Sequence, residues 1–256
     1  MTTLGWISLI AAFFFTALIS VVTGGTSLIT VPVMMQLGID PHVAVATNML
    51  ALIFLSLGGA LPFFKGQAIP RKRLPALTGL TLAGSTLGAF LLLAVPAKTM
   101  PIVIAWAMIV VVVFSLVNRD AGVSKNPGGS SRSLETAGYG ATFVLGVYGG
   151  FFSGGYVALL TAAYVFFFRM TFVEAVAVTK VLNFFSSLVA TAIFAWQGLI
   201  DWNLGFLLSG VSFGGALLGA ALARKMSNLW LRRVFLTAVV VLALKTLLFD
   251  VGLVNY

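Results

Sequence analysis

The 256-residue chain contains no cysteine, a single histidine and only six acidic residues. Without cysteine there is no disulfide framework, no thiol chemistry and no thiolate metal site. One histidine cannot build a usual zinc centre, and no H-E-x-x-H pair is present, so no metal site is expected. The G-x-x-x-x-G-K-[ST] phosphate loop is also missing, which excludes nucleotide hydrolysis by the chain itself. The few acids form no set within the apolar segments of the kind a carboxylate protease or a cation pump would need. No cofactor is expected, and the chain does not read as an enzyme.

Charge is scarce altogether. Only 8% of residues are charged, against about 25% in soluble domains. Hydrophobic residues make up 60% of the chain, and the mean hydropathy is +1.11. Apolar runs follow one another from Leu4 to Leu248 with short interruptions. A helix needs about 20 apolar residues to cross the hydrocarbon of a bilayer. The segments 41–64, 74–95, 99–118, 172–196, 203–223 and 230–249 meet that length. Strands of a membrane barrel would alternate apolar and polar positions over about 10 residues, and no such alternation occurs. The pattern predicts an all-α integral membrane protein. The first apolar segment has neither a basic leader nor an A-x-A cleavage site, so it reads as part of the membrane domain. The net charge of +9 and pI near 10.3 do not indicate nucleic acid, because the basic residues lie in the gaps between apolar segments.

An internal repeat organises the chain. Thr23-Gly24-Gly25 aligns with Ser153-Gly154-Gly155, and Ala44 to Asn48 aligns with Val176 to Lys180. Gly79, Gly84, Gly88 and Ala89 align with Gly210, Gly215, Gly219 and Ala220 at a constant offset of 131. The basic residues reverse between the copies. The gap after Phe64 holds Lys65, Arg71, Lys72 and Arg73, while its counterpart 197–202 holds none; the gap at 96–99 holds Lys98, while its counterpart holds Arg224, Lys225, Arg232 and Arg233. Cytoplasmic loops collect Lys and Arg, so this reversal predicts two repeats of inverted topology. Placing loops 65–73, 119–135, 169–171 and 224–233 in the cytoplasm puts twelve of the fifteen basic residues there. Both termini then lie outside the cytoplasm, in a multi-pass protein of the cell (inner) membrane. The expected division is residues 1–118 as the first repeat, 119–135 as a cytoplasmic linker and 136–256 as the second repeat. Each repeat opens with a hairpin, 5–22 with 26–37 and 136–152 with 156–168, that crosses either fully or partway, giving eight to ten membrane segments.

The hairpin turns are the first candidates for a solute site. Irregular backbone inside a membrane is tolerated only against protein or a wet cavity, and matched interruptions in two repeats point to a transport site. The candidates here are Gly24, Gly25, Thr26 and Ser27, with Ser153, Gly154, Gly155 and Tyr156. Helices starting near Thr26 and Tyr156 present free N–H groups to an anion. The competing reading is close helix packing by small residues, and packing is the favoured reading for Gly79, Gly84, Gly88, Gly210, Gly215 and Gly219. Lys180 lies inside segment 172–196, where its repeat counterpart is the neutral Asn48. An intramembrane cation marks a pathway or a site by default; the alternative is that it snorkels to the cytoplasmic interface beside Glu174. Lys180 with Thr179 and Asn183, facing Thr47 and Asn48, would form a net positive pocket suited to an oxyanion. His42 and Glu174 align in the repeats and are candidates for a coupling proton or gate. For His42 the rival reading is a helix start, with Asp40 as cap and Pro41 at the first position. Trp6, Trp196, Trp202 and Trp230 lie near segment ends, as interfacial anchors do.

The run Gly24-Gly25-Thr26-Ser27-Leu28-Ile29-Thr30-Val31-Pro32, followed by Pro41 to Asn48, resembles the first half of the TauE/SafE sulfite-exporter family. Gly149 to Gly155 and Val178-Thr179-Lys180 are similar to that family's second repeat. The resemblance covers essentially the whole chain. It implies a secondary transporter, an exporter, of a small sulfur-containing anion such as sulfite or an organosulfonate, working by alternating access between the repeats. An anion channel, or a non-transporting membrane subunit assisting a sulfur-metabolising enzyme, are the other readings. The expected partners are a small anionic solute and membrane lipids, with no nucleic acid and the homo-oligomeric state open.

Overall fold

The computed structural model describes residues 3–64, 72–100, 102–104, 106 and 131–223. Among them every regular element is helical: α1 (Thr3–Thr23), α2 (Ser27–Gln36), α3 (Pro41–Phe64), α4 (Leu74–Ala94), a 3-10 turn at Ala97–Thr99, α5 (Arg132–Phe151), α6 (Tyr156–Phe168), α7 (Phe172–Trp196) and α8 (Trp202–Ala223). Five of these helices are long and apolar enough to cross a membrane: α1, α3, α4, α7 and α8. At about 1.5 Å per residue, α2 with 10 residues and α6 with 13 are too short to span. Segments 99–118 (save a few residues) and 230–249, residues 119–130 of the linker, the basic residues of 65–71 and 224–233, and Trp230 lie outside the described residues.

Local chemistry accounts for three helix starts. Asp40 caps α3 by accepting from the His42 and Val43 amides at 2.9 and 3.4 Å, and Pro41 fills the first helical position, where no donor is lost. Thr171 caps α7, and Glu174 reaches back to the Thr171 amide at 2.8 Å, completing a capping box. One boundary differs from the sequence reading. Helix α5 begins at Arg132, inside the expected linker, because the Ser131 hydroxyl caps it by accepting from Leu134 N and Glu135 in its first turn pairs with Arg73.

The packing separates an inner layer from an outer one. The spanning window of α3 is 83% buried, and that of α7 67%, while that of α1 is only 28% buried. α3 and α7 contact each other at the centre. They run antiparallel, since Thr47 of α3 meets Asp201 just beyond α7 while Ser56 meets Asn183. Around them the contacts are reciprocal: α1 packs on α8 and α4 on α5, and α3 packs on α8 while α7 packs on α4. Glycines make the outer pairs close. A Cβ at Gly84 or Gly88 would sit 2.5 Å from Phe143 O or 1.9 Å from Val147 O on α5. A Cβ at Gly215 or Gly219 would sit 2.6 Å from Phe14 O or 2.1 Å from Leu18 O on α1. Backbones this near are the membrane mode of helix association through small residues. Gly79 and Gly210, expected to pack likewise, have open space at the Cβ position, so the packing reading fails for that pair. The outward faces carry Ile7, Phe15, Leu87, Phe90, Phe206 and Leu218 in exposed positions, as surfaces facing lipid require. Trp196 and Trp202 at the adjoining ends of α7 and α8 are exposed, and Trp6 is exposed near the start of α1.

Candidate functional site

The two interrupted regions meet each other at the centre of the molecule. After α1, Gly24 turns the chain with φ +66°, and before α6, Gly155 does so with φ +75°; both values lie in the left-handed region that glycine adopts without penalty. Ser153 also has φ +64°, a conformation uncommon for a side-chain-bearing residue. Each turn rests on the short helix of the other region. A Cβ at Gly24 would lie 2.6 Å from Ala158 N in α6, and one at Gly154 would lie 2.8 Å from Leu28 Cδ2 in α2. The Tyr148 hydroxyl donates to Gly154 O and ties the second turn to the end of α5.

Between the turns lies a small cavity lined by Gly24, Thr26, Ser27, Leu52, Leu55, Ser153, Val157, Lys180 and Asn183. Its interior has room for about one water molecule. Lys180 is 1% exposed, so it does not snorkel to an interface, and its Nζ donates to Ser20 O near the end of α1 at 2.8 Å. No acidic residue is among the lining residues. Glu174, the proposed partner of a snorkelling lysine, instead completes the cap of α7. The cavity therefore holds the buried amino group of Lys180 beside the N-terminal ends of α2 and α6, whose first N–H groups favour negative charge.

Two asparagines brace this arrangement. Asn48 Nδ2 donates to Ser27 Oγ at 2.8 Å, and its Oδ1 accepts from the Thr30 hydroxyl at 2.7 Å. Asn183 Nδ2 donates to Ser56 Oγ at 2.6 Å, and its Oδ1 accepts from the Ser153 hydroxyl at 3.3 Å. The first set locks α2 to α3; the second locks the Ser153 turn to α7 and α7 to α3. Buried side chains whose hydrogen bonds are satisfied in this way hold a site rigid.

Of the thirteen residues expected around a solute, six line the cavity: Gly24, Thr26, Ser27, Ser153, Lys180 and Asn183. Asn48 stands behind it through Ser27. Gly25, Gly154 and Gly155 shape the turns. Thr47 does not face the cavity, because its hydroxyl accepts from the Asp201 amide at 3.1 Å. Thr179 turns toward Thr161, 3.3 Å away, and donates to Val176 O. Tyr156 packs its ring on Gly149, and its buried hydroxyl lies near Thr81 and Ser186 without a bond of good geometry to either. His42 Nε2 lies 2.9 Å from Val95 O, clasping the start of α3 to the end of α4. Ser20, Leu52, Leu55, Ser56 and Val157 were not expected at the site. Ser56 was visible as a lone hydroxyl two turns beyond Asn48, whereas the Ser20 carbonyl has no sequence signal.

Five helices long and apolar enough to cross a membrane, with a buried polar cavity between the two turns, fit a multi-pass membrane protein. The family model described as sulfite exporter TauE/SafE matches residues 9–246, and the chain belongs to that family. A Haemophilus influenzae protein named probable membrane transporter protein is 28% identical over 213 residues, 83% of this chain and 81% of that one. The Sinorhizobium probable membrane transporter protein ORF9 is 27% identical, covering 84% of this chain and 82% of the relative. The Escherichia coli K12 probable membrane transporter protein YfcA is 25% identical over 252 residues, 94% and 90% of the two chains. No solved structure matches the chain.

Proposed function

We propose that this protein is a secondary transporter exporting a small sulfur-containing anion, such as sulfite or an organosulfonate, across the cell membrane. The observation that carries the reading is Lys180. A buried ammonium whose hydrogen-bond partner is a carbonyl, with no carboxylate lining its cavity, leaves positive charge to be met by a ligand, since buried charge is costly unless paired. The sulfur in the solute comes from the family resemblance; the negative charge comes from the cavity.

The proposed mechanism is alternating access between two inverted repeats, 1–118 and 136–256, joined by the linker region 119–135. Antiparallel α3 and α7, the reciprocal packing of α1 on α8 and α4 on α5, and the matched glycine contacts at an offset of 131 support this division. So does the size of the cavity: with room for about one water, it must widen to accept a solute, as a rocking carrier does and an open channel need not. The bias of basic residues toward alternate loops supports both termini on the extracytoplasmic side. Purified protein in liposomes, screened for uptake of sulfite, thiosulfate, sulfoacetate and taurine with and without a pH gradient, tests the reading. Saturable flux that Lys180→Ala removes is the expected result. A protein that moves no solute would be the assisting subunit instead, and wild-type flux in Lys180→Ala would retire this site.

A further inference from the structure

We infer that the cavity admits solutes whose charges are all negative and refuses those that also carry an ammonium group. A hydroxysulfonate is accepted where its amino counterpart is excluded. This rests on the proposed reading of the cavity as the anion's seat and adds the pattern of charge that it selects.

The argument is an inventory of donors and acceptors. The Lys180 ammonium has three N–H donors. One goes to Ser20 O, the acceptor it has among the described residues, which leaves two for a ligand. The amide and carbonyl acceptors nearby are engaged. Ser20 O already receives Gly24 N as well as Lys180 Nζ, both at 2.8 Å. Asn183 Oδ1 receives the Ser153 hydroxyl, and Asn48 Oδ1 receives the Thr30 hydroxyl. The Gly25 and Thr26 carbonyls receive the first amides of α2.

No acid among the described residues lines the cavity either. The four acidic residues among those described each serve elsewhere: Asp40, Glu174 and Asp201 accept from amides at the starts of α3, α7 and α8, and Glu135 pairs with Arg73. The rest of the cavity wall is uncharged: Gly24, Leu52, Leu55, Val157 and the hydroxyl-bearing Thr26, Ser27 and Ser153. A sulfonate held by Lys180 would replace its lost water with N–H donors. An ammonium on the same solute would lose its water against neutral hydroxyls, leucine and valine, beside a like charge and with no carboxylate in the lining to pair it. Burying a charge without a partner is the costly case.

Isethionate and taurine make the test, because they share a two-carbon sulfonate skeleton and differ in carrying a hydroxyl or an ammonium. Each is added unlabelled, at constant pH, to wild-type proteoliposomes taking up radiolabelled sulfite. Isethionate is expected to inhibit at least about tenfold more strongly than taurine, the factor that one lost polar partnership readily produces. Equal inhibition, stronger inhibition by taurine, or no inhibition by isethionate would each overturn the inference. All three leave sulfite transport, and with it the anion site, standing. Absence of any sulfite flux would instead remove the anion reading itself, and the selectivity with it.

Discussion

The two halves of the molecule place the same kind of helix at the centre and put different chemistry on it. In α3, Asn48 sits where α7 has Lys180. Asn48 closes on its own half, with Ser27 and Thr30 of α2 on either side of its amide. Lys180 crosses to the other half and donates to Ser20 O of α1. The bracing that Asn48 performs passes in α7 to Asn183, one turn further on, which holds Ser153 and reaches Ser56 of α3. One half therefore supplies a neutral, closed frame, and the other supplies the charge and the bridges between halves. Under the proposed two-repeat mechanism, symmetry serves packing and asymmetry serves binding of a charged solute, and these positions divide the two tasks.

The largest effects are expected where the halves are alike. Gly88→Ala would drive a Cβ to 1.9 Å from Val147 O, and Gly219→Ala one to 2.1 Å from Leu18 O. Both obstacles are backbone, which cannot rotate away, so overpacking costs of about 1–3 kcal/mol are a floor. Each variant should lose most of its monodisperse folded protein on size-exclusion chromatography. Gly79→Ala and Gly210→Ala, with open space at the Cβ, should fold normally and gain as much as about 1 kcal/mol from helix propensity. A strong defect in one copy and none in the other would break the equivalence of the halves.

Next comes the position where they differ. Lys180→Asn gives α7 the residue that α3 has, keeping a polar group but deleting the charge. Removing one partner of a buried, hydrogen-bonded charge pair costs about 2–5 kcal/mol, so flux of the transported anion should fall on the order of a hundredfold while the protein still folds. Asn48→Ala should do the opposite. It strands the Ser27 hydroxyl and leaves Thr30 only its bond to Thr26 O; a buried unsatisfied group costs about 1–3 kcal/mol in water-soluble proteins and less between membrane helices. Thermal unfolding in detergent should therefore show lower stability, with residual flux proportional to the protein that remains folded. Intact stability with abolished flux would move Asn48 from the frame into the solute's own contacts.

Much of this was legible in the residues, and what was not has physical causes. Helical membrane segments follow from hydropathy alone, because lipid forces every backbone group to pair within its own helix. The interrupted regions were legible through paired glycines, and Lys180 through its cost in hydrocarbon. The facing of individual side chains was not. Thr47 and Thr179 adjoin Asn48 and Lys180 in sequence, but a helix turns about 100° per residue, which carries Thr47 to Asp201 and Thr179 to Thr161. Leu52 and Leu55 line the cavity, yet nothing distinguishes them from lipid-facing leucines in a run of apolar residues. Gly79 and Gly210 share a motif with the packing glycines but lie in exposed positions with nothing within reach of a Cβ. The start of α5 was missed by four residues because Ser131 and Glu135, read as polar linker, are its cap and first turn.

The smallest effects separate capping from proton coupling at His42 and Glu174. Glu174 accepts from the Thr171 amide while Thr171 Oγ1 accepts from the Glu174 amide at 3.2 Å, and Asp40 does the corresponding work at the start of α3. Thr171→Ala and Asp40→Ala should each cost about 1 kcal/mol, the usual value of a helix cap. Glutamine at the third position of a capping box closes it as well as glutamate does, so Glu174→Gln should retain wild-type stability and flux within about twofold. A carboxylate that carried the coupling proton could not be replaced so cheaply, because the amide does not titrate. Uptake driven by a pH gradient would then collapse in Glu174→Gln while downhill exchange of the anion persisted. His42→Gln makes the parallel case, since the amide can still donate to Val95 O and yet hold no mobile proton. If both variants keep gradient-driven uptake, these residues only fasten helix ends, and the asymmetry that matters for transport narrows to Asn48 against Lys180.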